Sequence, residues 1–210
     1  MISALILAAG ESKRMGQPKM LLPWGKGTVL THVISVFREA GVEDILVVTG
    51  GAREQVEALV AGLGVRTVFN EAFQTGEMLS SIQCGLRALT PPPLSQSPAG
   101  TLRGERGAAA ALIGLGDQPQ VQAGSVRRVC EAFLETKANL IVPSYRMRRG
   151  HPWLAAYPLW DDLLRLKPPA SPRDFLNAHA ADIHYVNVDD PAILADLDTP
   201  EDYRQWQAKP

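Results

Sequence analysis

One loop early in the chain, residues 7–19, combines small residues with glycines directly after a predicted buried strand. Ala8, Ala9 and Gly10 have little or no side chain, so a ligand can approach the backbone closely there. Together with Gly10, Gly16 permits a loop whose amide groups converge on an anion. Open α/β sheets place their ligand sites where such loops leave the strands. These residue types therefore predict an anion-binding loop.

Basic side chains are concentrated in this part of an otherwise neutral protein. The 210 residues include 21 basic and 22 acidic side chains, a formal net charge of −1. In the loop and the segment after it, Lys13, Arg14, Lys19 and Lys26 face only Glu11, a local excess of +3. The neutral total indicates no broad nucleic-acid-binding surface. The local excess predicts a polyphosphate ligand instead.

The spacing of the two glycines disagrees with the commonest nucleotide loops. A Walker loop requires G-x-x-x-x-G-K-[ST], whereas five residues separate Gly10 from Gly16, and Gln17 follows. The dinucleotide pattern G-x-G-x-x-G is also missing after the first predicted strand. The sequence therefore supports neither a P-loop NTPase nor a nicotinamide-dependent dehydrogenase. On residue types alone, an ordinary loop with solvated charges remains the alternative.

Two aspartates later in the chain have the chemistry of magnesium ligands. Asp117 follows the apolar run 109–115, which places it at the carboxyl end of a predicted central strand. Magnesium typically uses one or two protein carboxylates together with phosphate oxygens. The alternative for Asp117 is a simple turn before Pro119. Asp198 precedes residues 199–202, a T-P-E-D helix-start pattern, so it either supports the metal or only belongs to that turn.

A second small basic element comprises Arg148, Arg149, Gly150 and His151. Its charge suits a second phosphate-bearing substrate. A solvated hairpin tip explains the same residues equally well, and the residue types leave the two interpretations open.

Alternating strands and helices are predicted to position these residues. Short apolar runs predict strands at 4–7, 45–48, 66–69, 109–115 and 140–143. Helical periodicity predicts helices at 29–40, 53–61, 78–89 and 125–136. This alternation is typical of βαβ units in a mostly parallel sheet. We expect one domain, 1–210, with a proline- and glycine-rich surface excursion at 90–107 and a hairpin or extended excursion at 144–157.

Cysteine usage and the first residues favour a cytoplasmic protein. Cys84 and Cys130 are far apart and form no C-x-x-C pair, which argues against a disulfide framework or a structural zinc site. The apolar opening lacks a basic segment before it, unlike a signal peptide. No apolar stretch approaches the ~18–20 residues of a membrane span. We therefore expect neither a membrane nor a nucleic acid as a partner.

The loop at 7–19 resembles the L-A-A-G-x-S-x-R-M-G-x-x-K signature of the MobA-like nucleotidyltransferases. This family includes the molybdenum cofactor guanylyl- and cytidylyltransferases. Matching positions are Leu7, Ala8, Ala9, Gly10, Ser12, Arg14, Met15, Gly16 and Lys19. Residues 70–86, with Gly76, Ser81 and Gly85, are similar to the family's second nucleotide-contacting stretch, and 116–119 to its G-D-x-P metal motif. Residues 149–152 resemble the R-G-H-P element of the cytidylyltransferase branch, and 196–202 the closing D-x-D-T-P-E-D.

The resemblance implies a three-layer, Rossmann-like α/β nucleotidyltransferase fold and magnesium-dependent transfer of a nucleoside monophosphate. The favoured substrates are CTP and molybdopterin, with release of pyrophosphate. The implied catalytic residues are Lys19 and Arg14, and the implied metal ligands are Asp117 and Asp198. The implied nucleotide-binding residues are Leu7, Ala8, Ala9, Gly10, Ser12, Arg14, Gly16, Lys19, Ser81 and Gly85. The implied acceptor-binding residues are Arg149, Gly150 and His151.

Two departures from the family pattern fall on the predicted acceptor side. Residues 167–173 retain an arginine but lack the glycines of the family's G-D-x-G-A-R-like stretch, and Trp153 is bulkier than the residue expected there. Two alternatives to the molybdopterin acceptor therefore stay open. One is a nucleotidyltransferase for a phosphosugar or another small phosphate. The other is a non-catalytic, nucleotide-binding assembly factor, which would contact a molybdoenzyme or a chaperone.

Overall fold

The structure is a computed structural model that describes residues 1–75, 77–89 and 108–207. Apolar runs form most of its strands: β1 (Ile2–Ala8), β2 (Pro23–Trp24), β3 (Gly27–Thr28), β4 (Asp44–Thr49), β5 (Arg66–Phe69), β6 (Ala110–Leu115), β7 (Leu140–Tyr145), β8 (Arg148–Arg149), β9 (Trp153–Ala156) and β10 (Ile183–Asn187). The α-helices are α1 (Val29–Glu39), α2 (Arg53–Val60), α3 (Met78–Leu89), α4 (Ala123–Thr136), α5 (Trp160–Arg165), α6 (Pro172–Ala178) and α7 (Pro200–Gln207).

The main sheet has the strand order β10-β7-β9-β6-β1-β4-β5, with β8 paired to β7. Strands β6, β1, β4 and β5 are parallel neighbours, and β10 is parallel to β7. Strand β9 runs antiparallel to both β6 and β7, between which it lies. The carboxyl ends of β1 and β6 therefore meet at one edge of the sheet, where ligand sites form in open α/β sheets.

Alternation along β1 shows how the sheet separates two apolar cores. Ala4 and Ile6 belong to the core under α1, α2 and α4, whereas Leu5 and Leu7 belong to the core under α3, α5 and α6. Successive side chains of a strand point to opposite faces, so an uninterrupted apolar run buries both faces. This arrangement confirms the predicted three-layer fold with a mostly parallel sheet. Among the described helices, none has the length and apolarity needed to cross a membrane.

Helix α1 packs against β6, the strand that leads to Asp117. The helix begins after Thr28, whose side chain accepts a hydrogen bond from the backbone N–H of Thr31. Its buried face includes Val33 and Phe37, one turn apart. Gly114 of β6 leaves room for Phe37, because a Cβ atom at this glycine would lie 2.4 Å from the phenylalanine ring. The close packing of α1 on β6 therefore depends on this glycine.

The predicted elements differ from the structure at β9, in the middle of the sheet, and no bounds are predicted for α5, α6 or β10. The predicted helix at 78–89 and strand at 66–69 have the observed bounds, and the other predicted elements differ by a few residues at their ends. Within 144–157, the hairpin forms between β7 and β8, but β9 then enters the sheet rather than leaving it. The predicted excursion at 90–107 and Gly76 lie outside the described residues.

Candidate functional site

The loop after β1 is held in shape by its own side chains and backbone. Ser12 has a left-handed backbone (φ 52°), and Gly16 (φ 68°) closes the short 3-10 turn Lys13–Met15. The hydroxyl of Ser12 accepts a hydrogen bond of 3.0 Å from the backbone N–H of Lys19. The left-handed region favours glycine, so this backbone conformation explains why a glycine occupies position 16. The loop thus brings Lys19 back toward the end of β1.

Lys19 lies between the two aspartates predicted as metal ligands. Its Nζ atom is 2.7 Å from Oδ2 of Asp117 and 3.1 Å from Oδ1 of Asp198. The guanidinium of Arg14 donates to the other oxygen of Asp198 at 2.7 Å. The residues that the sequence predicts for catalysis and for metal binding are thus one ion-pair cluster. Its members come from the loop after β1, the end of β6 and the segment before α7.

The members of this cluster differ in their exposure to solvent. The Lys19 side chain is 12% exposed, whereas the Arg14 side chain is 69% exposed. Burial alone would lower the pKa of Lys19, but the charges and hydrogen bonds of Asp117 and Asp198 outweigh it and raise this pKa. Burial opposes ionisation of Asp198, yet its contacts with Lys19 and Arg14 hold its pKa below the ordinary value. Lys19 and Asp198 therefore carry their charges at neutral pH.

Asp196 is a third carboxylate at the site, and it was not among the predicted ligands. Its Oδ1 accepts a hydrogen bond of 2.8 Å from the buried Gln118. Burial and the neighbouring charge of Asp117 raise the pKa of Asp196, against the effect of the Gln118 hydrogen bond. The D-x-D pattern of residues 196–198 was the signal in the sequence that could have identified it.

A cleft of about 460 Å³ opens above the cluster at the carboxyl edge of β1 and β6. It is lined by Leu7, Ala9, Gly10, Glu11, Ser12, Arg14, Lys19, Met20, Phe73, Glu77, Met78, Ser81, Leu115, Asp117, Asp196 and Asp198. Most of the predicted nucleotide-binding loop is therefore brought together with both predicted metal ligands. Phe73 and Glu77 were missed as individual residues, because nothing in their spacing distinguished them within the 70–86 stretch.

The cleft is acidic, which corrects the charge argument drawn from the loop. Among the described side chains that line it, two are basic and five are acidic, a formal charge of −3. The excess of +3 along the loop is thus opposed in space by carboxylates from three other segments. A triphosphate entering without cations would meet net repulsion. The electrostatics of the folded site therefore favour a nucleotide that arrives with a divalent metal.

Ser81 lies on the opposite wall of the cleft, where a buried asparagine positions it. Nδ2 of Asn70 donates to the hydroxyls of Ser80 and Ser81, at 2.9 and 3.1 Å. The side-chain oxygen of Asn70 accepts from the backbone N–H of Ala72 at 3.1 Å. Since Ser81 accepts from Asn70, its own O–H is available as a donor toward the cleft. The predicted nucleotide role of Ser81 is consistent with this geometry.

Gly85 packs inside the protein rather than lining the cleft. A Cβ atom at this position would lie 2.1 Å from Cδ1 of Leu5 in β1. The glycine therefore allows α3 to lie close against the sheet. Ala8 and Gly16, also predicted to bind nucleotide, are not among the lining residues either. Ala8 is buried in the core, and Gly16 shapes the loop.

The three predicted acceptor residues do not line the cleft. Arg149 donates to Tyr185, in the edge strand β10, and to Asn177, at 2.9 and 2.8 Å. A Cβ atom at Gly150 would lie 2.5 Å from the carbonyl oxygen of Ile193. These contacts give both residues structural roles in this arrangement.

His151 lies next to β6, the strand that leads to Asp117. Its Nδ1 is 3.4 Å from the carbonyl oxygen of Ile113, and its backbone N–H donates to the carbonyl of Ile193 at 2.9 Å. Burial lowers the pKa of His151 to about 4, despite the hydrogen bond and the nearby charge of Asp117. His151 is therefore neutral at physiological pH.

The chemistry of Asp117 and Asp198 fits a magnesium ion. Both present oxygen donors, the ligand type magnesium prefers, and their oxygens already lie on two sides of one cation, the Lys19 ammonium. Across the part of the chain that the structure describes, no three His, Cys, Asp or Glu side chains are grouped closely enough to hold a metal by themselves. Two carboxylates leave most of the octahedral coordination of magnesium to other ligands.

Comparison with known proteins agrees with the fold and with the loop. A family model described as the MobA-like NTP transferase domain matches residues 4–183. The molybdenum cofactor cytidylyltransferase of Escherichia coli K12 is 24% identical over 202 residues, which cover 96% of this chain and 93% of that protein. The bifunctional protein GlmU of Syntrophomonas wolfei is 31% identical over 150 residues, 70% of this chain. The match spans 29% of GlmU.

Among solved structures, the crystal structure of Rv0371c in complex with manganese, from Mycobacterium tuberculosis H37Rv, superposes with a TM-score of 0.76. The two sequences are 27% identical, and the match covers 100% of this chain and 99% of that one. The whole described fold therefore has a counterpart in a protein that was crystallised with a divalent metal.

Proposed function

The chain belongs to the MobA-like NTP transferase family of nucleotidyltransferases, and we propose that it transfers CMP from CTP to molybdopterin in a magnesium-dependent reaction. One observation carries the proposal. Lys19 and Arg14, from the loop after β1, converge with Asp117 and Asp198 at the floor of a cleft. A triphosphate and its metal need this combination of cations and carboxylates, whereas a purely structural loop does not.

The reaction that suits these groups is an in-line displacement at the α-phosphorus of the nucleotide. An acceptor phosphate oxygen forms a bond to this phosphorus while the bond to the pyrophosphate oxygen breaks, and pyrophosphate leaves with the electron pair. No protein nucleophile is required. The protein therefore acts by positioning the two substrates and by neutralising charge.

Lys19 and Arg14 have separate tasks in this mechanism. The largely buried ammonium of Lys19 lies next to the floor of the cleft, where it would stabilise charge developing between the α- and β-phosphates. The exposed guanidinium of Arg14 can bind outer phosphate oxygens in a bidentate manner. To contact phosphate, each side chain exchanges a carboxylate partner for a phosphate oxygen.

Asp117 and Asp198 would hold magnesium, which neutralises phosphate charge when bound. Ser81 would donate a hydrogen bond to the nucleotide, with Asn70 fixing the direction of its hydroxyl. Ala9 and Gly10 line the cleft next to the end of β1, so their backbone can face the nucleotide.

The preference for CTP and molybdopterin rests on the similarity to the molybdenum cofactor cytidylyltransferase of Escherichia coli and on the R-G-H-P element at 149–152. Arg149, Gly150 and His151 have structural contacts of their own, so they support no acceptor pocket directly.

A pyrophosphate-release screen tests the proposal. Each of the four NTPs is supplied with magnesium, alone and with molybdopterin or one of several phosphosugars. Release that requires both CTP and molybdopterin supports the proposal. Release with a sugar phosphate and none with molybdopterin assigns the acceptor to the phosphosugar alternative. NTP binding without release under every condition contradicts catalysis and supports the assembly-factor alternative.

A further inference from the structure

Helix α7 begins with a capping box whose acidic residue makes one contact more than the helix requires. Oδ2 of Asp202 accepts hydrogen bonds from the backbone N–H and the hydroxyl of Thr199, each at 2.8 Å. The backbone N–H of Asp202 donates in return to the Thr199 hydroxyl at 3.2 Å. These contacts complete an ordinary cap. The same Oδ2 also accepts the backbone N–H of Asp198 at 3.2 Å.

This additional bond holds the backbone of Asp198 from one side, and a bond at Leu197 holds it from the other. The backbone N–H of Leu197 donates to the carbonyl oxygen of Asp117 at 3.2 Å, and the Leu197 side chain is fully buried. The segment at 197–198 is thus fixed between the end of β6 and the start of α7. The carboxylate of Asp198 reaches Lys19 and Arg14 from this fixed backbone.

The other side of α7 is attached to the segment that follows the nucleotide loop. The hydroxyl of Tyr203 donates to the carbonyl oxygen of Pro23, and Nε2 of Gln207 donates to the same oxygen at 2.8 Å. The rings of Tyr203 and Trp24 lie 6.2 Å apart. No described residue of α7 is fully buried, but Tyr203 and Trp206 pack as partly buried side chains against the apolar cluster of Met15, Leu22, Val29 and Leu197. These packing contacts, the hydrogen bonds to Pro23 and the cap together hold the helix in place.

Helix α6 provides an internal comparison for the cap. Ser171 and Asp174 form a capping box there, with Oδ2 of Asp174 accepting from the backbone N–H and the hydroxyl of Ser171 at 2.8 and 2.7 Å. Both helices also begin with proline at their first position. The residue before the α6 cap, Ala170, donates its N–H to the carbonyl of Lys167 and not to the acid. The bond to the preceding residue thus distinguishes Asp202 from Asp174.

We propose that Asp202 is a positioning residue, which orients the carboxylate of Asp198 toward Lys19 and toward the metal–nucleotide complex. The part that concerns the metal and nucleotide rests on the proposed function, whereas the part that concerns Lys19 does not. Loss of Asp202 would allow the backbone at 198 to rotate, so that its carboxylate no longer holds the ammonium. Outer-shell partners of metal ligands typically account for about 10–100-fold in metal affinity.

Three variants test the proposal: Asp202→Ala, its matched control Asp174→Ala, and the conservative Asp202→Asn, which keeps one oxygen that can accept a hydrogen bond. Thermal unfolding shows what each cap contributes to stability. The two alanine variants should lower Tm by similar amounts, about 2–4 °C for a typical cap in a chain of this size.

The first site measurement uses the protein without metal or nucleotide. Lysine labelling by an amine-reactive reagent, read by mass spectrometry, reports whether the Lys19 ammonium is still held. We expect labelling of Lys19 to rise several-fold in Asp202→Ala, to stay at the wild-type rate in Asp174→Ala, and to return most of the way in Asp202→Asn. Equal Lys19 labelling in the two alanine variants, with Asp202→Ala folded, overturns the positioning role.

The second measurement is the affinity for Mn²⁺ in the presence of a non-hydrolysable CTP analogue, followed by electron paramagnetic resonance. Asp202→Ala should weaken Mn²⁺ binding about tenfold, with no change in Asp174→Ala. If the wild-type protein binds no Mn²⁺ with the analogue, the proposed function fails, and the labelling result still decides the role of Asp202. Mn²⁺ affinity that is unchanged in Asp202→Ala contradicts the proposal directly.

Discussion

The ammonium of Lys19 lies 2.7 Å from Oδ2 of Asp117, although 98 residues separate them in the sequence. Both side chains are largely buried, with 12% of Lys19 and 18% of Asp117 exposed, so solvent and salt screen this ion pair less than one on the surface. The same groups are the ones proposed to bind triphosphate and metal. Under the proposed function, substrate binding would replace this ion pair by contacts to the metal–nucleotide complex.

Lys19→Met should abolish most catalysis and leave the fold intact. The substitution keeps the length and apolar stem of the side chain but removes the charge next to the phosphates. Removal of one preorganised charge-stabilising group typically costs about 10²–10³ in kcat. The measurement is the rate of pyrophosphate release, with circular dichroism to confirm folding. Lys26→Met, at an exposed position in the same basic segment, is the control and should keep the wild-type rate. A folded Lys19→Met protein within threefold of that rate would falsify the assigned role.

Asp117→Asn should weaken the joint binding of metal and nucleotide. The amide is a poorer ligand than a carboxylate for magnesium, and it leaves Lys19 without its closest counter-charge. We expect at least a tenfold loss of Mg²⁺-dependent nucleotide affinity in a calorimetric titration. Asp161→Asn removes an exposed carboxylate on α5 that pairs only with Arg165 among the described ion pairs, so it should titrate like wild type. An unaltered metal titration of Asp117→Asn contradicts the prediction.

Nucleotide binding itself should require a divalent metal. The formal charge of −3 on the cleft lining repels a free triphosphate, and a bound divalent ion offsets this repulsion. Equilibrium dialysis of radiolabelled CTP should therefore show at least tenfold weaker binding in excess EDTA than in millimolar Mg²⁺. The difference should shrink at high salt, where charges are screened. Equal CTP affinity in EDTA and in Mg²⁺ would contradict the prediction.

Gly85→Ala should destabilise the protein through packing and not through nucleotide contact. The added methyl group collides with Leu5, and overpacking of this kind typically costs about 1–3 kcal/mol. At about 2–4 °C per kcal/mol, a clear fall in Tm is expected. Gly62→Ala is the control, since nothing lies within 4 Å of a Cβ atom there. If Gly85→Ala keeps the wild-type Tm but loses nucleotide affinity, the binding role implied by the resemblance is restored.

His151 should make the protein less stable in mild acid. Its pKa is about 4 in the folded protein and near the ordinary 6.5 once unfolded, so the unfolded chain binds more protons between these pH values. Stability should therefore fall as pH is lowered from about 7 to 4, by about 3 kcal/mol at most from this group. Urea unfolding at several pH values measures this slope. His151→Asn should flatten it and the exposed control His184→Asn should not; equal slopes in the two variants would rule out His151 as the cause.

Local patterns in the sequence predict the helices and strands, because each depends on neighbouring residues. The continuous apolar run of β1 and the helical periodicity of α3 are examples. The position of β9 depends instead on pairing with β6 and β7, strands formed by residues earlier in the chain. The residue pattern within 153–156 does not indicate which strands β9 pairs with.

The site shows the same division between local and distant information. The loop at 7–19 is recognisable because its function and its turns lie in one continuous segment. The acidity of the cleft cannot be recognised in the sequence, because it arises only when carboxylates from separate segments meet in the fold. Gly85, Arg149 and Gly150 illustrate a further limit, because a motif match does not distinguish a residue that touches a ligand from one that shapes the backbone beside it.

The long sequence separation within the ion-pair cluster has a consequence for the order of folding. Arg14 and Lys19 meet Asp198 across 184 and 179 residues, so these contacts close a much longer loop than the pairing of neighbouring strands does. We expect contacts of this kind to form late, after the sheet and its two cores have assembled. Substitutions at Asp198 should therefore speed unfolding and leave the refolding rate almost unchanged. We therefore expect the chain to complete this ion-pair cluster only after the rest of the fold has formed.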